Sequence, residues 1–338
     1  MRQIWITRVG PPEVLEVREA PDSSPAAGQV RIRVHAAGVN FADTMARVGM
    51  YPDAPKIPCV VGYEVAGIVD AVGDGVTGRR VGERVFALTR FGGYSDVVCV
   101  PELQTVPTPE GMSDDEAASL PIVFLTAYHM LVHLGNVKRG DTVLIHAAAG
   151  GVGLAALQLC RHAGATTIGT ASASKHAYLR EAGLDHAVDY RSQDFEQEVR
   201  RITAGRGVEI ALDAQGGASL RRSYRCLAPM GRLFVFGVAS FVPAGARNLF
   251  SALAGLAQTP FLHPMSLMSE NRGVFGVNIG HLWKEVATLR KHLDALVALY
   301  REGAIKPVID TRVPFANAPD AHRRIMQRQN IGKVLLIP

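Results

Sequence analysis

Along the first 120 residues, apolar and polar positions alternate in short runs: Gln3 to Val9, Val14 to Arg18, Gln29 to Ala37, Glu64 to Val72, Arg84 to Ala87 and Tyr94 to Val100. A period of two sends alternate side chains to opposite faces of a strand, and clusters of Gly, Pro and Asp separate the runs. Many short strands with turn residues between them predict a small barrel. After Pro121 the pattern changes. Thr142 to His146, Thr166 to Ala171, Ala187 to Tyr190, Glu209 to Ala214 and Arg232 to Gly237 are strand-like, and helical spacing begins near Leu154, Lys175, Asp194 and Ala218 between them. That alternation predicts a doubly wound parallel sheet, with Gly273 to Asn278 as its last strand. Trp283 to Arg301 reads as a long amphipathic helix, and Ile309 to Pro314 and Lys333 to Ile337 return to strand character. The expected organisation is a barrel over 1–120, a nucleotide-binding domain over 121–278 and a segment over 279–338 that completes the barrel.

The stretch TVLIHAAAGGVGLAALQLCRHAGA, from Thr142 to Ala165, is strand, glycine-rich turn and helix in that order. Ala148, Gly150 and Gly153 fall on the three small positions of a dinucleotide fingerprint, with alanine in place of the first glycine. Gly150 lets backbone approach a pyrophosphate, Gly153 lets the helix pack on the strand, and the helix N-terminus faces the anion. An NAD site carries an acid about twenty residues further on, for the ribose 2′-hydroxyl. Here the chain reads TASASKH, without an acid. Ser172, Ser174 and Lys175 instead suit a 2′-phosphate, which favours NADPH. Lys175 is otherwise an ordinary solvated lysine opening a surface helix.

Hydrophobic residues are 48% and charged residues 20% of the 338, which fits a globular chain of two domains. No N-terminal apolar leader is visible, and a cytoplasmic location is expected. The four cysteines, Cys59, Cys99, Cys160 and Cys226, form no C-x-x-C pair and read as inert buried thiols. The net charge of +5 suits acidic small ligands; the basic residues are too scattered for a nucleic-acid stripe. Residues 248–269 contain no Asp, Glu, Lys or Arg, yet Asn248, Gln258, Pro260, His263 and Pro264 argue against a membrane span. The segment reads as an apolar helix buried at a subunit or domain contact, or as a lid over an acyl chain.

GVNFAD (Gly38 to Asp43), RVGMYP (Arg47 to Pro52), GYEVAGIVDAVGDGV (Gly62 to Val76), HAAAGGVG (His146 to Gly153) and the GKVLLIP ending together carry a resemblance. Over essentially its full length the chain resembles the zinc-independent quinone oxidoreductase branch of the medium-chain dehydrogenase/reductase superfamily. TASASKH, NRGVFGVNIGHL and IKPVID look most like the vesicle amine transport protein homologues within it. The resemblance implies an α/β fold with a GroES-like β-barrel catalytic domain and a Rossmann domain, NADPH as hydride donor, and a homodimer. Zinc-dependent relatives carry ligands where this chain has Asn40, Tyr63 and Val123, none of which suits zinc, and the lobe for a structural zinc is missing between Phe91 and Tyr94.

Without a metal, the expected chemistry is hydride addition to an α,β-unsaturated carbonyl compound, with donors for the developing enolate. Asn40, Tyr51 and Tyr63 are the catalytic candidates, with Asp43 holding the loop or orienting Asn40. Asn40 fixing loop backbone and Tyr51 packing beside Pro52 are the structural alternatives. By resemblance, Thr126 lies at the nicotinamide side, and Ala148, Gly150, Gly151, Val152 and Gly153 lie at the pyrophosphate. Ser172, Lys175 and Tyr190 surround the 2′-phosphate, Phe236, Gly237 and Val238 close a strand end, and Arg328 completes the cofactor site. The favoured substrate is an enoyl thioester such as an acyl-CoA. A quinone or small enone is the alternative; NADPH binding without turnover, in a structural or membrane-associated role, is the other. Neither a nucleic acid nor an integral membrane segment is expected.

Overall fold

The alternating runs at the start of the chain form strands with one buried face. Strands are numbered in chain order. β1 (Arg2–Ile6) pairs antiparallel with β2 (Leu15–Glu19), and Ile4 and Ile6 are fully buried. β3 (Gln29–Val39) buries Val30, Ile32, Val34 and Ala36. After the helix Phe41–Arg47 come β4 (Glu64–Val72), β5 (Arg84–Leu88), β6 (Val97–Pro101) and β7 (Thr105–Pro107). The end of the chain adds β14 (Ile309–Pro314) and β15 (Lys333–Ile337), giving a seven-stranded sheet ordered β14-β15-β3-β4-β5-β7, with β6 also on β3. Bulges in the β3–β4 ladder between Arg31 and Ile32 and between Val34 and Ala36 let β3 serve β6 at one end and β15 at the other. Gly67 sits at this crossing: a Cβ there would lie 2.0 Å from the Arg33 carbonyl oxygen.

The computed structural model describes residues 1–241 and 249–338, with backbone alone at 249–252. It divides into two compact units. The first is Met1–Leu125 with Ile279–Pro338; among the described residues the second comprises 126–241 and 249–278.

In the second unit β8 (Thr142–Ile145), β9 (Thr166–Ala171), β10 (His186–Asp189), β11 (Val208–Asp213), β12 (Leu227–Val235) and β13 (Gly273–Gly276) form a wholly parallel sheet ordered β10-β9-β8-β11-β12-β13. The order reverses direction between β8 and β11, and ligands of such sheets bind at the carboxyl ends of the strands beside that reversal. Helices Gly151–Ala163, His176–Glu181, Phe195–Ile202 and Ala218–Arg225 link the strands. β13 is a sheet edge.

Several boundaries differ from the periodicity. β12 starts at Leu227 rather than Arg232, because the chain keeps its ladder through an irregular register at Met230, which has φ 65, and Gly231. The long helix runs Val286–Arg301, and the edge strand stops at Gly276. The uncharged segment is two short helices rather than one. Pro260 and Pro264 divide it into helices Leu249–Gln258 and Pro264–Glu270, and Leu253, Leu256, Phe261, Met265 and Met268 are exposed; Asn248 lies outside the described residues. Among the described residues no helix is long and apolar enough to cross a membrane. Cys59, Cys160 and Cys226 are buried, whereas Cys99 is only half-buried.

Candidate functional site

In the second unit the fingerprint turn follows β8 directly. Ala147 takes φ 52, and Gly150 caps the helix Gly151–Ala163. A Cβ on Gly153 would lie 2.5 Å from the Ala147 carbonyl oxygen and 2.6 Å from that of Ala148. Glycine is thus what lets the helix start against the strand. At Gly150 a Cβ would meet only the Ala147 oxygen, at 3.3 Å, and would otherwise fill the open cradle above the turn. That space, bounded by first-turn amides that a helix cannot satisfy internally, fits a pyrophosphate.

A buried polar network supports this turn. Ser223 donates to Asp213 Oδ2 at 2.8 Å, so its oxygen accepts from His146 Nε2 at 2.9 Å, and His146 Nδ1 accepts from Thr170 Oγ1 at 3.0 Å. Burial holds the His146 imidazole below its ordinary pKa, in keeping with a neutral ring. Asp213 Oδ1 accepts from the amides of Gln215, at 2.7 Å, and Gly216, at 2.9 Å, fixing the loop after β11. Asp213 was not a sequence candidate, although an acid closing an apolar strand is its visible signal.

Ser172, Lys175, Tyr190, Phe236 and Val238 follow the carboxyl ends of β9, β10 and β12. Ala171 pairs with Asp189, so Ser172 and Tyr190 begin adjacent strand ends. Ser172 Oγ lies 3.2 Å from Ser174 Oγ, Lys175 is half-buried, and Tyr190 is exposed with the Arg191 guanidinium 5.9 Å over its ring. Phe236, Gly237 and Val238 follow β12, with the Phe236 amide donating to the Asp213 carbonyl at 3.1 Å. Thr126 is buried on the helix Pro121–Tyr128. Arg328 belongs to the other unit, where it follows the helix Ala318–Met326 in an exposed left-handed turn rather than lying on it.

In the first unit Asn40, Asp43 and Tyr63 meet at the head of the helix Phe41–Arg47. Asn40 was read as an amide donor, but its side chain is already engaged: Nδ2 donates to Glu64 Oε1 at 2.9 Å, and Oδ1 accepts from Lys333 Nζ at 2.7 Å. Lys333 also pairs with Glu64, whose other oxygen accepts the Ile122 amide at 2.7 Å. Glu64 and Lys333 were not candidates, yet Lys333 is the one charge of β15 and Glu64 opens the otherwise apolar first half of β4. Asp43 Oδ2 accepts the Asn40 amide at 2.8 Å and Oδ1 the Gly62 amide at 3.1 Å. Burial pushes the Asp43 carboxyl up to about 7 against those hydrogen bonds.

Tyr63 differs from its neighbours. It is 5% exposed, and its hydroxyl has no hydrogen-bond partner. Its ring lies 5.1 Å from Phe91 and edge-on to Tyr51 at 6.4 Å. Burial, with the Tyr51 hydroxyl as the next cause, raises the Tyr63 phenol well above its ordinary pKa and keeps its proton in place. No protein group accepts from this hydroxyl, so its proton is available to a bound oxygen. Asn40 with its amide engaged, Tyr63 as a neutral phenol and the apolar Val123 do not make a zinc donor set.

Residues 26–110 match the alcohol dehydrogenase GroES-like domain family, and residues 182–336 match the zinc-binding dehydrogenase family. The synaptic vesicle membrane protein VAT-1 homolog of Rattus norvegicus is 43% identical over 325 residues, covering 96% of this chain and 80% of that protein. The crystal structure of Escherichia coli quinone oxidoreductase complexed with NADPH superposes with a TM-score of 0.89 at 31% identity over 100% of both chains. The CurK enoyl reductase superposes with a TM-score of 0.86 at 29% identity, covering 99% of this chain and 98% of that one.

Proposed function

Because this chain belongs to the medium-chain dehydrogenase/reductase superfamily, with a GroES-like domain and a Rossmann-type parallel sheet, we propose that it reduces the activated C=C bond of an α,β-unsaturated carbonyl compound with NADPH and without zinc. Its favoured substrate is an enoyl thioester such as an enoyl-CoA. The observation that carries the reading is the buried, protonated Tyr63 hydroxyl, which no protein group engages, between the rings of Tyr51 and Phe91.

Bound NADPH supplies a hydride for the β-carbon of the substrate. Gly150, Gly151, Val152 and Gly153 hold its pyrophosphate on the helix N-terminus, and Ser172, Lys175 and Tyr190 hold its 2′-phosphate. Hydride addition would leave an enolate, with negative charge on the carbonyl oxygen, and solvent would supply the proton that completes the α-carbon. Tyr63 donates its hydroxyl proton in a hydrogen bond to that oxygen, and burial makes the bond stronger than it would be in water. Phe91 and Tyr51 bound the apolar surroundings of the phenol. Asn40 serves as a fixed polar wall, held by Lys333 and Glu64, rather than as a mobile donor.

The likeness to an NADPH-bound quinone oxidoreductase supports a second reading, in which the oxygen that Tyr63 meets belongs to a quinone. A homodimer is part of the proposal, and the open sheet edge at β13 supports it. Tyr63→Phe tests the reading: kcat for enone reduction falls about a hundredfold with NADPH affinity unchanged. Equal turnover by wild type and variant contradicts it.

A further inference from the structure

Arg47 is fully buried. It donates to the Gly10 carbonyl, to Met326 Sδ at 2.7 Å and, through Nε, to His322 Nδ1 at 3.3 Å. Guanidinium nitrogens only donate, so Nδ1 of His322 is an acceptor and the ring proton sits on Nε2. His322 Nε2 lies 3.1 Å from the Tyr94 hydroxyl and therefore donates to it. Tyr94 in turn gives its single proton to Asp43 Oδ2 at 3.1 Å. The bonds all run one way, from a buried cation through two neutral groups to a buried carboxyl. His322 and Tyr94 are both fully buried, and their rings meet edge-on at 5.9 Å. Burial, then the Arg47 charge, depresses His322 to about 3, consistent with a ring that stays neutral.

The far end of this chain of bonds touches the backbone of the site. Asp43 holds the amide of Asn40 and the amide of Gly62, the residue before Tyr63. Tyr94 also packs on Gly62 directly. A Cβ on Gly62, which has φ 105, would lie 2.6 Å from Tyr94 Cδ1 and 2.7 Å from its nitrogen, and the Tyr94 amide donates to the Val61 carbonyl at 2.9 Å. We propose that His322, on the C-terminal helix, and Tyr94 are positioning residues: through Asp43 they set the backbone at Gly62 and so aim the Tyr63 hydroxyl. This rests on the proposed reductase reading. Neither residue touches substrate. A misplacement of the donor by under an ångström costs turnover without affecting the nucleotide.

The test uses the full-length protein and three variants. Tyr94→Phe removes one oxygen and keeps the ring. His322→Phe breaks both of its bonds, whereas His322→Gln keeps one acceptor and one donor. With a small enone and NADPH, Tyr94→Phe and His322→Phe are expected to lower kcat about tenfold or more, with the dissociation constant for NADPH unchanged within about twofold. His322→Gln is expected to recover several-fold over His322→Phe. A folded Tyr94→Phe with wild-type kcat overturns the inference. A readout independent of turnover is the nitrogen NMR spectrum of histidine-labelled wild type, which should show His322 as the neutral Nε2–H tautomer throughout pH 5 to 8. An Nδ1–H tautomer, or a titration in that range, overturns the inference even where a variant fails to fold. Wild-type protein silent with every acceptor overturns the reaction reading, while the tautomer still decides the relay.

Discussion

Lys333 and Asn40, 293 residues apart in the chain, are joined by a hydrogen bond of 2.7 Å between Nζ and Oδ1, and the same ammonium pairs with Glu64. The ammonium side chain is 3% exposed and the carboxylate side chain fully buried. Removing one partner strands a buried charge. Lys333→Met is therefore expected to destabilise the protein by about 3–5 kcal/mol, and adding Glu64→Gln to recover part of it. Urea denaturation of the two variants measures both values.

The two fingerprint glycines should separate under substitution. Gly153→Ala forces a methyl against two backbone carbonyl groups and should lower stability by about 2 kcal/mol or more. Gly150→Ala meets one atom at 3.3 Å, so the fold should survive while NADPH affinity falls at least about tenfold. Thermal melts and fluorescence titration with NADPH separate the outcomes.

The opposite shifts of His322 and Asp43 give opposite pH dependences of stability. His322 drops from an ordinary 6.5 to about 3, so its contribution is complete above 6.5 and is lost as pH falls towards 3. Asp43 rises from 3.8 to about 7, so its contribution is complete below 3.8 and is lost as pH rises through 7. Between about 4 and 6.5 the two oppose each other in the wild type. The groups facing them, Arg47, Tyr94, Tyr63, Glu64 and Lys333, are common to both forms. His322→Gln leaves the Asp43 contribution alone, and its melting temperature relative to wild type should fall as pH rises across that window. A constant difference would show that His322 is not held neutral.

The fold was legible because periodicity survives folding. Apolar residues at Val30, Ile32 and Val34 bury one face of β3, and the strand, turn and helix around Gly150 form as the pattern requires. Glu64 and Lys333 are visible as charges at the starts of largely apolar strands, but nothing local says that they meet, since 269 residues separate them. His322 was equally opaque: its partners Tyr94 and Arg47 are 228 and 275 positions away, and the packing of the C-terminal helix decides the contact. The helix Asp114–Ser119 was missed although Ser113 and Glu116 spell a capping box, because the surrounding residues carry no clear period. Composition marks the uncharged segment but not its division into two helices. Its prolines, not its hydropathy, decide where the helices end.

On the proposed reading, Lys175 sets the preference for NADPH. Lys175→Ala should lower the ratio of NADPH to NADH affinity by about tenfold or more, since one charge-assisted contact to the 2′-phosphate is lost. Titration of both nucleotides reads the ratio. Equal losses for the two would assign Lys175 to some role other than the 2′-phosphate.

The reductase activity is read from the rate of NADPH oxidation by the purified wild-type protein with matched enoyl-CoA esters, simple enones and quinones, followed by mass analysis of the product. Turnover of an α,β-unsaturated carbonyl compound is expected, fastest with an enoyl thioester, with a product two hydrogens heavier across the C=C bond. Bound NADPH that is never oxidised by any of these acceptors, or oxidation only by quinones, would contradict it.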